Sequence, residues 1–223
     1  MRKAVGVSGQ LKDRHDFYFR KAKEEHYRAR SVYKLEEIQQ KLKLLRPGQV
    51  VVDLGAAPGS WTQYAAAQVG PQGRVIAVDR TPIQPGLPPQ VQTFQLDMLQ
   101  VTPQLLAEKA GVTVVDGVIS DMAPNTSGVR SVDHARSLEL CVKAMEVADR
   151  VLKPSGYFIC KVFQGGDSGE LADRLKERYQ EVKPVKPKSS KDASVEYFLV
   201  GIGFRGAPEK TEPVAGGWDP LDD

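Results

Sequence analysis

Residues 49–61 read QVVVDLGAAPGSW. Val50, Val51, Val52 and Leu54 form a short apolar run that ends in a glycine turn. An apolar run this short, closed by a turn signal, fits a strand buried on both faces. SWTQYAAAQVG continues it as a short helix, so the stretch opens a strand–turn–helix unit. Downstream the same alternation repeats. GRVIAVD, VQTFQLD, VVDGVISD, GYFICKVF and SVEYFLVGIGF read as strands. TPQLLAEKAG and SGELADRLKERY read as helices, and a long helix within SVDHARSLELCVKAMEVADRVLKPSG is expected to end near Lys153-Pro154. Such alternation predicts an α/β fold, a mainly parallel sheet with helices on both faces. Upstream, Val32, Leu35, Ile38, Leu42 and Leu45 recur at helical spacing, with Ser31 as a candidate cap and Pro47-Gly48 as a stop.

Composition narrows the function classes. The chain has 223 residues, 41% of them hydrophobic, which suits one domain of ordinary size. Its two cysteines, Cys141 and Cys160, form no C-x-x-C pair, and its three histidines are scattered, so no metal site is expected. No apolar run approaches the roughly 20 residues of a membrane span, and the N-terminus has no apolar core like a signal peptide's. A cytoplasmic protein without membrane contact is expected. Residues 1–46 hold 13 Lys/Arg against 6 Asp/Glu, while residues 47–223 hold 18 against 22. Residues 1–29 therefore read as a basic arm suited to a polyanion. Its Arg14, Arg20, Lys21, Lys23 and Arg28, with Arg30 directly after it, are interleaved with Phe17, Tyr18, Phe19 and Tyr27. The cations can meet phosphates and the rings can stack on unpaired bases, or the rings can pack the arm onto the domain. Residues 30–205 form the domain. Residues 206–223, rich in Pro and Gly and acidic, read as a disordered tail. KPVKPKSSKDAS is a second basic loop.

The glycine turn and the strand ends point to one ligand class. In an open parallel sheet, ligands bind beyond the carboxyl ends of the strands. Gly55 and Gly59 let a ligand approach the backbone. The G-A-A-P-G spacing lacks the third glycine of dinucleotide enzymes, and Pro58 removes an amide that a phosphate would need. Asp79, Asp97 and Asp121 end three successive strands on the same rim. Each alone could be a cap or turn aspartate. Together they suit a ligand with ribose hydroxyls, an adenine and a positive charge but no phosphate. S-adenosylmethionine has those properties; a nucleotide-dependent oxidoreductase fits the same rim less well.

Lys161 interrupts the apolar run YFICKVF. Desolvating an ammonium is costly, so the position needs a reason. An edge strand is one, because a lysine there blocks strand-to-strand aggregation. An active site is the other.

The motifs DLGAAPGSW, AVD, QLDM, ISDMAPNTSG and CKVFQG, on five separate elements, resemble those of the FtsJ (RrmJ-type) family of ribose 2′-O-methyltransferases. The resemblance runs from about Arg30 to Phe204. It implies a Rossmann-like fold for S-adenosylmethionine-dependent methyl transfer, with a seven-stranded sheet whose last strand is antiparallel. It implies a catalytic tetrad of Lys34, Asp121, Lys161 and Glu196. It implies cofactor contacts from Gly55, Gly59, Trp61, Asp79, Asp97, Met98 and Asp121. The implied substrate is a uridine ribose in the A loop of large-subunit (23S) rRNA within the assembled large subunit, so the expected partner is that rRNA in its ribosomal particle. A tRNA anticodon-loop enzyme and a non-catalytic RNA-binding assembly factor are the alternatives. A monomer is expected. Within such a tetrad Lys161 takes the proton of the ribose hydroxyl, or stays protonated and stabilises developing charge. The base role is the one expected.

Overall fold

The computed structural model describes residues 17–165, 168–190 and 195–208. Arg14 of the arm, Lys191 of the second basic loop and Trp218 with nearly all of the acidic tail lie outside the described residues. Helix α1 covers residues 17–24. The elements that follow are α2 (Val32–Leu42), β1 (Val50–Leu54), α3 (Ser60–Val69), β2 (Arg74–Asp79) and β3 (Val91–Gln95). A turn of 3₁₀ helix (Met98–Gln100) leads to α4 (Pro103–Ala110), β4 (Val115–Ser120) and α5 (Arg130–Val151). β5 (Leu152–Phe163), α6 (Ser168–Arg178), β6 (Tyr179–Val185) and β7 (Glu196–Phe204) complete it.

The sheet has seven strands in the order β3-β2-β1-β4-β5-β7-β6. β7 runs antiparallel to β5 and β6, and β1–β5 pair in parallel. Strand order reverses between β1 and β4, which opens a crevice at their carboxyl ends. Two cores cover the faces. Val52, Leu54, Val118, Phe158 and Val162 pack under α4, α5 and α6; Val51, Ile119, Ile159, Phe198 and Val200 pack under α2 and α3.

Strand period then fixes where the polar residues point. Successive side chains alternate between faces, so Lys161 shares the α2 face with Ile159. Glu196 shares it with Phe198 and Val200. β5 lies between β4 and β7, so the edge-strand reading of Lys161 fails.

Four local expectations change. The residue pattern predicts six strands and misses β6, because Tyr179 reads as the end of a helix and residues 183–185 as part of the basic loop. It is an edge strand, where a proline and alternating charges are tolerated because one side needs no ladder. Helix α2 stops at Leu42 with Lys43 left-handed, before Pro47, and the Gln39 side chain bonds both N–H and C=O of Leu45. Ser31 does not cap that helix; its hydroxyl meets the Ser60 hydroxyl at 3.1 Å. Finally, β5 starts at Leu152, and an irregular stretch around Ser155 (φ 64°) separates Leu152, opposite Val115, from Tyr157, opposite Gly117.

Candidate active site

Two features meet at Asp121, just past the end of β4. The first is a cleft of about 560 Å³ at the carboxyl ends of β1, β2 and β4. Gly55, Asp79, Asp97, Met98 and Asp121, all singled out by sequence, line it. Gly55 has φ +71°, and a Cβ there would stand 2.0 Å from Met122 Cγ, so the turn at this wall accepts no side chain. The Asp79 carboxylate accepts the Ala57 N–H at 2.9 Å and the Thr81 N–H and hydroxyl at 2.7 Å each. It therefore pins the β1–α3 turn to the loop after β2. Asp97 caps the 3₁₀ turn by accepting the Leu99 N–H at 3.0 Å. The cap and turn roles are thus real, and each carboxylate keeps acceptor capacity for a ligand, since an ionised carboxylate offers about four lone-pair sites. The rim is not purely acidic, because Arg80 and Lys143 also line it.

The second feature is a chain of charges under α2. Glu196 Oε1 lies 2.6 Å from Lys34 Nζ, Lys34 Nζ lies 3.8 Å from Asp121 Oδ1, and Lys161 Nζ lies 2.9 Å from the same oxygen. Lys161 also donates to the Asp121 carbonyl. Both lysines are buried. All four tetrad residues suggested by the resemblance are thus brought together from α2, the end of β4, β5 and β7. Burial works to raise the Glu196 carboxyl. The Lys34 charge and hydrogen bond and the Lys161 charge outweigh it, and the group sits below the ordinary glutamate range. Helix α5 steadies this end of β5. The Cys141 thiol donates to the Lys161 carbonyl at 2.8 Å, and the Phe163 N–H donates to the Ser137 hydroxyl at 3.1 Å.

Two residues expected at the cofactor stand apart from the main cleft. Trp61 is 3% exposed; its Nε1 donates to the Ser31 carbonyl at 2.9 Å and its ring stacks on Phe198. It walls a small recess, about 40 Å³, that shares Gly55, Ala57 and Asp121 with the cleft. Gly59, at φ +106°, faces Arg28. Asp53, to which the sequence pattern assigns no role, also lines the recess. Burial pushes its carboxyl up to about 7, against the lowering hydrogen bond from Thr62, and the Asp121 and Asp79 charges add to the rise. The signal was present: a carboxylate inside an apolar strand needs a reason as much as Lys161 does.

In the arm, packing accounts for part of the aromatic content. Tyr18 and Tyr27 lie against Tyr33, and Lys21 sits over the Tyr33 ring. Phe17 and Phe19 stay 54% and 60% exposed.

The family model for FtsJ-like methyltransferases matches residues 27–204. The chain belongs to this family. It is a methyltransferase, and the matched span holds the whole tetrad and every residue of the cleft. It is 50% identical over 188 residues to the ribosomal RNA large subunit methyltransferase E of Bdellovibrio bacteriovorus, covering 84% of this chain and 95% of that protein. It is 48% identical over 196 residues to the protein of the same name from Nitratidesulfovibrio vulgaris strain Miyazaki F, covering 88% and 98%. Its fold matches the crystal structure of a Plasmodium falciparum protein named as a ribosomal RNA methyltransferase. There the TM-score is 0.70 at 27% identity, over 81% of this chain and 100% of that one.

Proposed function

We propose that the protein methylates the 2′-hydroxyl of a uridine ribose in the A loop of large-subunit rRNA, within the assembled subunit, using S-adenosylmethionine. The observation that carries this reading is the continuous chain Glu196–Lys34–Asp121–Lys161 at the mouth of a cleft rimmed by Asp79 and Asp97. The names of the relatives support rRNA as the substrate class.

The cleft suits the cofactor chemically. Asp79 has lone pairs left for the ribose hydroxyls, Asp97 for the adenine amino group, and Met98 and Leu99 offer apolar flanks for the ring. Gly55 keeps the cleft wall free of a side chain, and Gly59 and Trp61 act through the shape of the turn and recess. When bound, S-adenosylmethionine supplies a methyl group activated by its sulfonium. The protein must hold a ribose hydroxyl in line with that methyl and deal with the hydroxyl's proton.

Lys161 suits the second task. Its Nζ is held by two acceptors, the Asp121 carboxylate and the Asp121 carbonyl. An ammonium has no lone pair, so to act as the base Lys161 must react as the neutral amine, which has two N–H groups and one lone pair. Both N–H groups can go to Asp121, which leaves the lone pair for the incoming hydroxyl proton. Asp121 is then the positioning group for both lysines. Lys34 and Glu196 complete the network and fix the ribose.

The test uses RNA and large ribosomal subunits from a strain lacking the enzyme, with labelled cofactor and mapping of the modified ribose. Label at one A-loop uridine, in subunits in preference to free RNA, is the expected result. Label in tRNA alone would overturn the substrate, and none in any RNA would leave an assembly factor.

A further inference from the structure

Arg28 sits between α1 and α2, within a basic arm whose charges suit RNA phosphates. Its contacts are of another kind. Nη1 donates to the Pro58 carbonyl at 3.0 Å and to the Gln84 carbonyl at 2.7 Å, and Nη2 donates to the Pro85 carbonyl at 2.7 Å. Its backbone N–H donates to Gln63 Oε1 at 3.0 Å, and the Gln63 amide returns a bond to the His26 carbonyl at 3.2 Å. A Cβ on Gly59 would come within 2.9 Å of Nη1, so the glycine is what admits the guanidinium.

The acceptors belong to two segments: the β1–α3 turn and the loop between β2 and β3. These segments carry Gly55 and Ala57 on one side of the cleft and Asp79 to Thr81 on the other. Asp79 already pins them together at the floor, through Ala57 and Thr81. Arg28 joins them a second time from outside. The placement runs against the dipole of α3, whose N-terminus disfavours a cation. Among the described residues the guanidinium is held by carbonyl oxygens, with no anion to compensate it. A planar fork can reach three such oxygens at once, whereas an ammonium presents a single point of contact.

We infer that Arg28 is a positioning residue for the cofactor cleft, not a phosphate contact: it clamps the two loops that carry the cofactor-binding side chains. This rests on the cleft being the S-adenosylmethionine site, so the experiment includes a readout that does not depend on the cofactor. The full chain is compared with Arg28→Lys, which keeps the charge and loses the fork, and with Arg28→Ala. Circular dichroism checks their folding.

Calorimetry with S-adenosylmethionine should show the dissociation constant rising by about tenfold in both variants, the scale of a lost hydrogen bond to a charged group. Hydrogen exchange without cofactor should speed up in residues 55–63 and 81–90 in both. Binding of an A-loop rRNA fragment should keep its affinity and its salt dependence. A phosphate contact would instead reduce the log–log salt slope by about 0.7–0.9 in the alanine variant while leaving the cofactor alone. That pattern, or wild-type exchange in both loops, overturns the inference. A wild-type protein that fails to bind S-adenosylmethionine defeats the cofactor assignment instead, and the exchange data then decide the clamp by themselves.

Discussion

The two halves of the site hold their charges in different ways. In the cleft, Asp79 and Asp97 are satisfied by neutral donors, backbone N–H groups and a threonine hydroxyl, from their own loops and, for Asp79, from the adjoining β1–α3 turn. Beyond Asp121, the buried charges are satisfied by one another, through Lys34, Lys161 and Glu196. The first arrangement is local, so each carboxylate tolerates loss of a neighbour. The second is a relay, where removing one member strands the next in a dry setting. The cleft is built to persist with or without a ligand. The relay is built so that its members depend on one another.

Lys34→Ala tests that dependence most severely. It removes the 2.6 Å partner of Glu196 and one of the two cations at Asp121. Methyl transfer should fall by about 10²-fold or more. Stability should drop by roughly 1–3 kcal/mol, because a partly buried carboxylate loses its nearest cation. The thermal shift given by S-adenosylmethionine should persist. Loss of that shift would show that the two halves are not separate.

Asp79→Ala tests the opposite half. The cofactor-induced shift should shrink, and the Michaelis constant for S-adenosylmethionine should rise by about tenfold or more. The turnover rate at saturating cofactor should change far less. A fall in turnover with an unchanged constant would place Asp79 in the relay.

Asp53 lies between the halves, and its effect is read in stability. Burial pushes its carboxyl from the ordinary aspartate value of 3.8 up to about 7 in the folded chain. Between those values the folded state keeps a proton that the unfolded state has lost. Stability therefore falls as pH rises through that window, and the loss is complete above it. Asp53→Asn removes the effect while its side-chain oxygen can still accept from Thr62. The variant should melt a few degrees above wild type at pH 8 and level with it at pH 4. Equal melting points at both would mean that Asp53 is ionised without penalty.

The same contrast explains what sequence could reveal. The cleft is legible because its parts are local: a glycine turn after an apolar strand, and an aspartate at each following strand end. The relay is not, since residues 34, 121, 161 and 196 meet only once the strand order is known. Lys161 announces itself as a charge in an apolar strand, yet Lys34 on a helix and Glu196 on a strand resemble ordinary surface residues without the family motifs. Edge strand β6 escapes because solvent on one side relaxes the pattern that identifies central strands. Arg28 misleads for a related reason. Composition counts its charge, but its partners are neutral carbonyls that no charge count detects.

The proposed chemistry turns on Lys161 as the base, and one substitution addresses it. Arginine keeps the positive charge but does not give up its proton in a protein. Single-turnover methyl transfer should be compared for wild type, Lys161→Ala and Lys161→Arg, with cofactor binding and folding verified for each. A base role predicts that Lys161→Arg falls nearly as far as Lys161→Ala, by about 10²-fold or more. A well-folded, cofactor-binding Lys161→Arg enzyme with appreciable activity would contradict it and make the residue a charge stabiliser.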